Sequence, residues 1–279
     1  MRDAAVSRND KLTITGYVAI GENEQINTST NYANVTLYSG TITASGDKAI
    51  YLRSIGGKTD GKVTFEMFGG SVQGDIYGGS RTASAYDSEI FNTLKFYGGN
   101  VTGNIFGQGL NDTFTGSSDI TLQGNFSITG NVYGGSNVTS TTSTSVGSGN
   151  SKITVDSVST TINGNIYGGS KAAEGSTGFA TGNSTITINK GTAITVYGSG
   201  ENCGNVGTTN ITLGSGAVVN DIFGGAKNNQ VTATATITVK AGTVTFSLTF
   251  AEESESEIKR FIIGLKIEER IVIARLFSS

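Results

Sequence analysis

The sequence predicts an all-β chain wound as a single-stranded right-handed parallel β-helix of about eight or nine coils, on three observations. One phrase recurs: GSVQGDIYGGS at 70–80, GNVTGNIFGQG at 99–109, SITGNVYGGS at 127–136, TINGNIYGGS at 161–170, and AVVNDIFGGA at 217–226. A degraded copy, TAITVYGSG, stands at 192–200, and a weaker one at Ala49-Ile50-Tyr51. A second phrase, apolar–polar–apolar, precedes these copies, as in Ile120-Thr121-Leu122, Ile153-Thr154-Val155, Ile186-Thr187-Ile188 and Ile211-Thr212-Leu213. Between 11 and 250 no helical periodicity occurs, and the chain has no Pro.

The organisation follows in chain order. Residues 1–11 form an N-terminal extension, and Leu12-Thr13-Ile14 is an irregular first copy that opens a repeat domain over 12–250. The triplets continue with Val35-Thr36-Leu37, Val63-Thr64-Phe65 and Leu94-Lys95-Phe96 and end at Ile237-Thr238-Val239. Seven steps over the 202 residues from Val35 to Ile237 give a mean period of roughly 29, inside the range of solenoids. Period-two alternation makes each triplet a short strand with its aliphatic pair on one face and Thr on the other. The second phrase begins as a strand and stops at Gly-Gly, a turn signal. One such coil cannot bury its own apolar residues, whereas neighbours above and below close the core. Thr36, Thr64, Thr121, Thr154, Thr187, Thr212 and Thr238 are expected to form an outward row broken by Lys95. Asn104, Asn131 and Asn165 are expected to stack as an amide ladder. Length variation falls after the Gly-Gly-Ser corner, at 81–89, 110–118, 138–151, 172–183 and 201–208, so these inserts leave one edge of the rod.

After Phe250 the composition changes to Glu, Lys, Arg and Ile. Ile258, Phe261, Ile262, Leu265, Val272, Ile273 and Leu276 share one side of a helical wheel, so 251–279 reads as a helical cap on the last coil. Alternation over Ile267–Ile273 keeps a strand open, and a foreign extension is the competing origin.

Composition narrows the function. Absence of His removes the commonest general base and metal ligand, so triads, HExxH sites and His–Cys zinc sites are excluded. One Cys forbids an internal disulfide framework. A net charge of −3 argues against a nucleic-acid binder, and no run of about 18 apolar residues is present to span a membrane. The start, MRDAAVSRND, lacks the apolar stretch of a secretory leader. Neither a cofactor nor a metal is expected.

The GNIYGGS and ITV phrases resemble the repeats of bacterial surface adhesins and autotransporter passenger domains, which have a pectate-lyase-like right-handed parallel β-helix. The resemblance covers roughly 35–250 and implies an extracellular or cell-surface stalk or adhesin, with this chain then a piece of a longer one.

Three candidate surfaces follow. If each preceding Ile or Val faces inward, Tyr51, Tyr77, Phe106, Tyr133, Tyr167, Tyr197 and Phe223 face outward as an aromatic stripe able to meet sugar rings or a protein. The opposing reading is a corner where each ring turns over Gly-Gly and packs on its neighbours; Phe at two positions favours packing. Asp75 and Asp221 hold equivalent repeat positions five coils apart, and no carboxyl pair matches on successive coils as glycoside chemistry requires; catalytic residues are therefore not expected. The Thr row invites an ice-binding reading, weakened by Lys95 and by variable coil length. Cys203 has neither Cys nor His near it in sequence. The expectation is a non-enzymatic structural or adhesive segment that binds a glycan or a host or neighbouring-cell protein through edge loops or the stripe, with end-to-end or lateral self-association. A β-helix lyase or hydrolase is the alternative.

Overall fold

The computed structural model describes residues 13–15, 18–21, 33–43, 50–54, 61–81, 91–111, 116–139, 145–175, 179–205, 207–228 and 234–249. The extension 1–11 and the expected cap 251–279 lie outside the described residues. Among those described, every regular element is a strand and neighbouring strands pair in parallel. The strands stack into a β-solenoid of about six turns, with shorter rungs continuing at both ends, slightly fewer than the eight or nine expected.

Each turn has three faces. The triplets build the first: Phe65, Leu94, Ile120, Ile153, Ile186 and Ile211 lie in register on successive coils. Val72, Val101, Ile128 and Ile162 do the same on the second face. Ile76, Ile105, Val132, Ile166, Val196 and Ile222 do so on the third. All these side chains are buried and meet in one core. Burial of each is worth roughly 1.5–3 kcal/mol against exposure. Alternation thus sets the inward rows, and like-on-like stacking fills them.

One register departs from expectation. Phe65 lies beside Leu94 and Met67 beside Phe96, so the strand Lys62–Met67 enters two residues later than the triplets suggest. A shift of two keeps inward residues inward, which is why alternation does not reveal it. Glu66, not Thr64, consequently stands between Thr36 and Lys95. Its carboxylate lies 3.6 Å from the Lys95 ammonium. The Thr row is therefore replaced by an ion pair at two successive coils and resumes as Thr121, Thr154, Thr187, Thr212 and Thr238.

The Gly-Gly corners exist because coils approach there too closely for a side chain. A Cβ built on Gly134 would stand 2.4 Å from the Gly168 carbonyl oxygen of the next coil. Beneath the corners runs a buried polar row: Ser118, Ser151, Ser184 and Thr209 occupy matching positions two residues before each Ile-Thr phrase. Each hydroxyl donates to the carbonyl of the first corner glycine of its own coil, Gly134, Gly168, Gly198 and Gly224. Asn92 does the same for Gly107 at 2.9 Å and also accepts from buried Arg53 at 3.0 Å. These bonds tie the start of a coil to its end and satisfy carbonyls that would otherwise be buried unpaired.

Candidate functional site

The aromatic row forms a continuous column. Rings of Tyr51, Tyr77, Phe106, Tyr133, Tyr167, Tyr197 and Phe223 stack coil on coil with centroids 4.7–5.0 Å apart and planes within 4–10°. That spacing is the interstrand distance of a β-sheet, so parallel register alone sets the stacking. As alternation requires, the rings point away from the main core. They do not, however, make an exposed stripe: Tyr51, Phe106, Tyr133 and Tyr167 are 0 % exposed and Tyr77 3 %, while Tyr197 and Phe223 are half-buried. Of the two readings of the row, the packed one is observed and outward exposure is corrected at these five positions, because ring faces are taken by neighbouring rings and a further rung lies beside them.

That rung follows the corner. Leu110, Asn137, Lys171, Glu201 and Lys227 pair in parallel on successive coils. Leu110 packs against the rings. Asn137 Nδ2 donates to Tyr77 Oη at 3.1 Å, and Tyr133 Oη donates to Glu201 Oε2. Glu201 Oε1 accepts from Lys227 Nζ at 3.0 Å. Tyr77 Oη also donates to Asp75 at 3.2 Å. Burial, then the Glu201 carboxylate, raises the Tyr133 phenol well above its ordinary range; burial and Asp75 do the same for Tyr77. Burial would raise Glu201, but hydrogen bonds from Tyr133 and Lys227 outweigh it and hold the carboxyl below its usual range. Bonding to Glu201 in turn raises Lys227.

The Asn ladder stacks in the neighbouring coils as expected, headed by Asp75. Asp75 Oδ1 accepts from the Asn104 backbone N–H at 2.7 Å, Asn104 Oδ1 from that of Asn131 at 2.9 Å, and Asn131 Oδ1 from that of Asn165 at 2.7 Å. Asp221 lies in the same column five coils away. Asp119 pairs with Lys152 at 3.0 Å, Asp156 is exposed, and Asp87 and Glu89 lie outside the described residues. Cys203 is buried with Val138 and Ala172 and donates to the Ser170 carbonyl at 3.0 Å. Burial, then Glu201, pushes its thiol up to about 12, so it stays protonated.

Two features escape a reading of the triplets. Tyr38, Phe68 and Tyr97 follow three successive triplet strands and stack at 5.3 and 4.7 Å, with Tyr38 72 % and Phe68 45 % exposed. Their signal is an aromatic directly after Leu37, Met67 and Phe96, replaced by Gln123 on the next coil. The second is a shallow open groove of about 480 Å³ along the first face, lined by Phe91, Asp119, Lys152, Asn183, Thr185 and Asn210 among others. Its signal is the outward residue just before each inward Ile: Asp119, Lys152, Thr185 and Asn210.

No helix of the described residues is long and apolar enough to cross a membrane. The chain matches no protein-family model, no curated protein and no solved structure.

Proposed function

We propose that this chain is a non-enzymatic structural or adhesive segment of a secreted or surface-displayed bacterial protein, a stiff rod whose edge presents the recognition surface. The observation that carries the reading is the division of labour within each coil. Apolar rows, Ser braces, Asn ladder and aromatic column repeat through the interior. Length varies most in the connection from the third face of one coil to the first face of the next, as at 138–151 and 172–183, while the connection from the first face to the second differs by one or two residues between coils. Variable connections on a fixed scaffold are where repeat proteins carry binding. In this reading the aromatic column supplies stiffness and the loops supply contact with a glycan or a host or neighbouring-cell protein.

A glycan and host-matrix array probed with the whole chain tests the proposal, run beside reducing-sugar and unsaturated-uronate assays. Retention on a defined set of spots without product release supports it. Turnover of a polysaccharide would replace it with the lyase or hydrolase alternative.

A further inference from the structure

We propose that the groove along the first face is a binding site for a neutral, hydroxyl-rich polymer: a neutral oligosaccharide strand lying parallel to the rod axis. The inference rests on the adhesive reading above and names its ligand class.

Three observations carry it. The first is repetition. Asp119, Lys152, Thr185 and Asn210 stand in register on four successive coils, each pointing away from the core. Rungs about 4.8 Å apart offer one polar side chain per step, a spacing close to the advance of one unit in an extended sugar chain. From Phe91 to Asn210 the groove crosses five rungs, about 19 Å in all. That length suits a short oligosaccharide.

The second is charge. Lys152 Nζ lies 3.0 Å from Asp119 Oδ2, so the two formal charges in the groove cancel. The other polar lining groups are amides and hydroxyls. An anionic polymer, whether a uronate chain or a nucleic acid, would need a surplus of cations that this lining lacks. A neutral polyol needs donors and acceptors together, and Asn, Thr, Asp and Lys supply both.

The third is preorganisation. Asn183 N donates to Asn150 Oδ1 at 3.0 Å, and Thr208 N donates to Asn183 Oδ1 at 2.8 Å, a side-chain ladder that fixes one border of the groove. Phe91, 36 % exposed, sets an apolar ring at one end, suited to the C–H face of a sugar. Binding therefore costs little reordering of the protein.

Titration calorimetry of the whole chain with cellohexaose, xylohexaose, mannohexaose and hexagalacturonate, at low and high salt, tests the site. At least one neutral hexaose should bind with an affinity indifferent to salt. Thr185→Val and Asn210→Ala combined should weaken it on the order of tenfold or more, and Phe91→Ala should weaken it too, each with an unchanged melting temperature. Tyr38→Ala, outside the groove, should leave it intact. Salt-sensitive binding of hexagalacturonate alone, neutral binding indifferent to all groove variants, or no hexaose binding would each overturn the site. The same samples go on the matrix array. Retention there without hexaose binding removes the groove proposal and leaves the adhesive reading standing, whereas a blank array removes both.

Discussion

Ser118, Ser151, Ser184 and Thr209 each close a coil by donating to a buried corner carbonyl. Ser151→Ala should therefore cost about 1–3 kcal/mol, the penalty of an orphaned buried acceptor, while Ser151→Thr, which matches Thr209, should recover most of it. Urea midpoints measure both, and a Ser151→Ala protein as stable as the parent would count against the brace. The Glu201 cluster makes a second prediction. A carboxyl held below its ordinary value in the folded state contributes stability above its unfolded pKa and loses it as pH falls through the folded value. Glu201→Gln should thus flatten the acid limb of the stability profile below about pH 4.5. The phenols of Tyr77 and Tyr133 carry the opposite sign. Raised in the fold, they contribute fully below the unfolded value of 10.0 and lose that contribution as pH climbs beyond it. Phenolate signals of Tyr77 and Tyr133, resolved by NMR of ring-labelled tyrosine, should appear together with loss of the β signal in circular dichroism above about pH 10. Early titration of the Tyr77 and Tyr133 rings themselves with the fold intact would mean that the column is open to solvent.

Coils exchange more readily than fragments of coils. Ser151 pairs with Ser184, and Asn150 and Asn183 precede them, so deletion of 151–183 rejoins Asn to Ser in register. That variant should fold, whereas deletion of 151–165 removes two faces and leaves the third stacked on nothing. Circular dichroism and gel filtration distinguish them, and equal damage from both would contradict nearest-neighbour stacking. Much at this level was legible from period alone: the inward rows through Ile120, Ile153, Ile186 and Ile211, the Asn ladder and the Gly corners all repeat in sequence as they do in space. What escaped did so for physical reasons. The two-residue offset at Phe65 preserves alternation and so leaves no trace in it. The hydroxyl partner of Tyr133 is Glu201, which is distant in sequence and belongs to a rung with no phrase of its own. Its faint signal is the position directly after each corner, held by Leu110, Asn137, Lys171, Glu201 and Lys227. The groove residues were hidden in plain view, since outward polar positions on a strand normally signify only solvent.

A linear stack distributes stability along its length. Ile186 is 0 % exposed and lies between Ile153 and Ile211, whereas Ile237 is 4 % exposed and pairs with Ile211 in one of the last rungs described. Ile186→Asp should cost several kcal/mol, because a buried charge there has no compensation from either side. Ile237→Asp should be milder and should fray the end rather than divide the rod. Hydrogen exchange resolves the two: the first variant should open protection on both sides of its coil, the second only near 235–249. Uniform loss of protection in both would mean the rod unfolds as one cooperative unit.

Seven rings held face to face within 5.0 Å also form an optical array. Transition dipoles at that separation couple, so ultraviolet excitation absorbed by Tyr133, Tyr167 or Tyr197 is shared among those three rings before it is emitted. Their planes lie 5° apart at each step, so transfer along the column should leave emission polarised in a rigid glass, where transfer among tilted rings would depolarise it. A chain interrupted by Tyr167→Leu, which parts Tyr133 from Tyr197, therefore reports the continuity of its own winding through its emission in the ultraviolet.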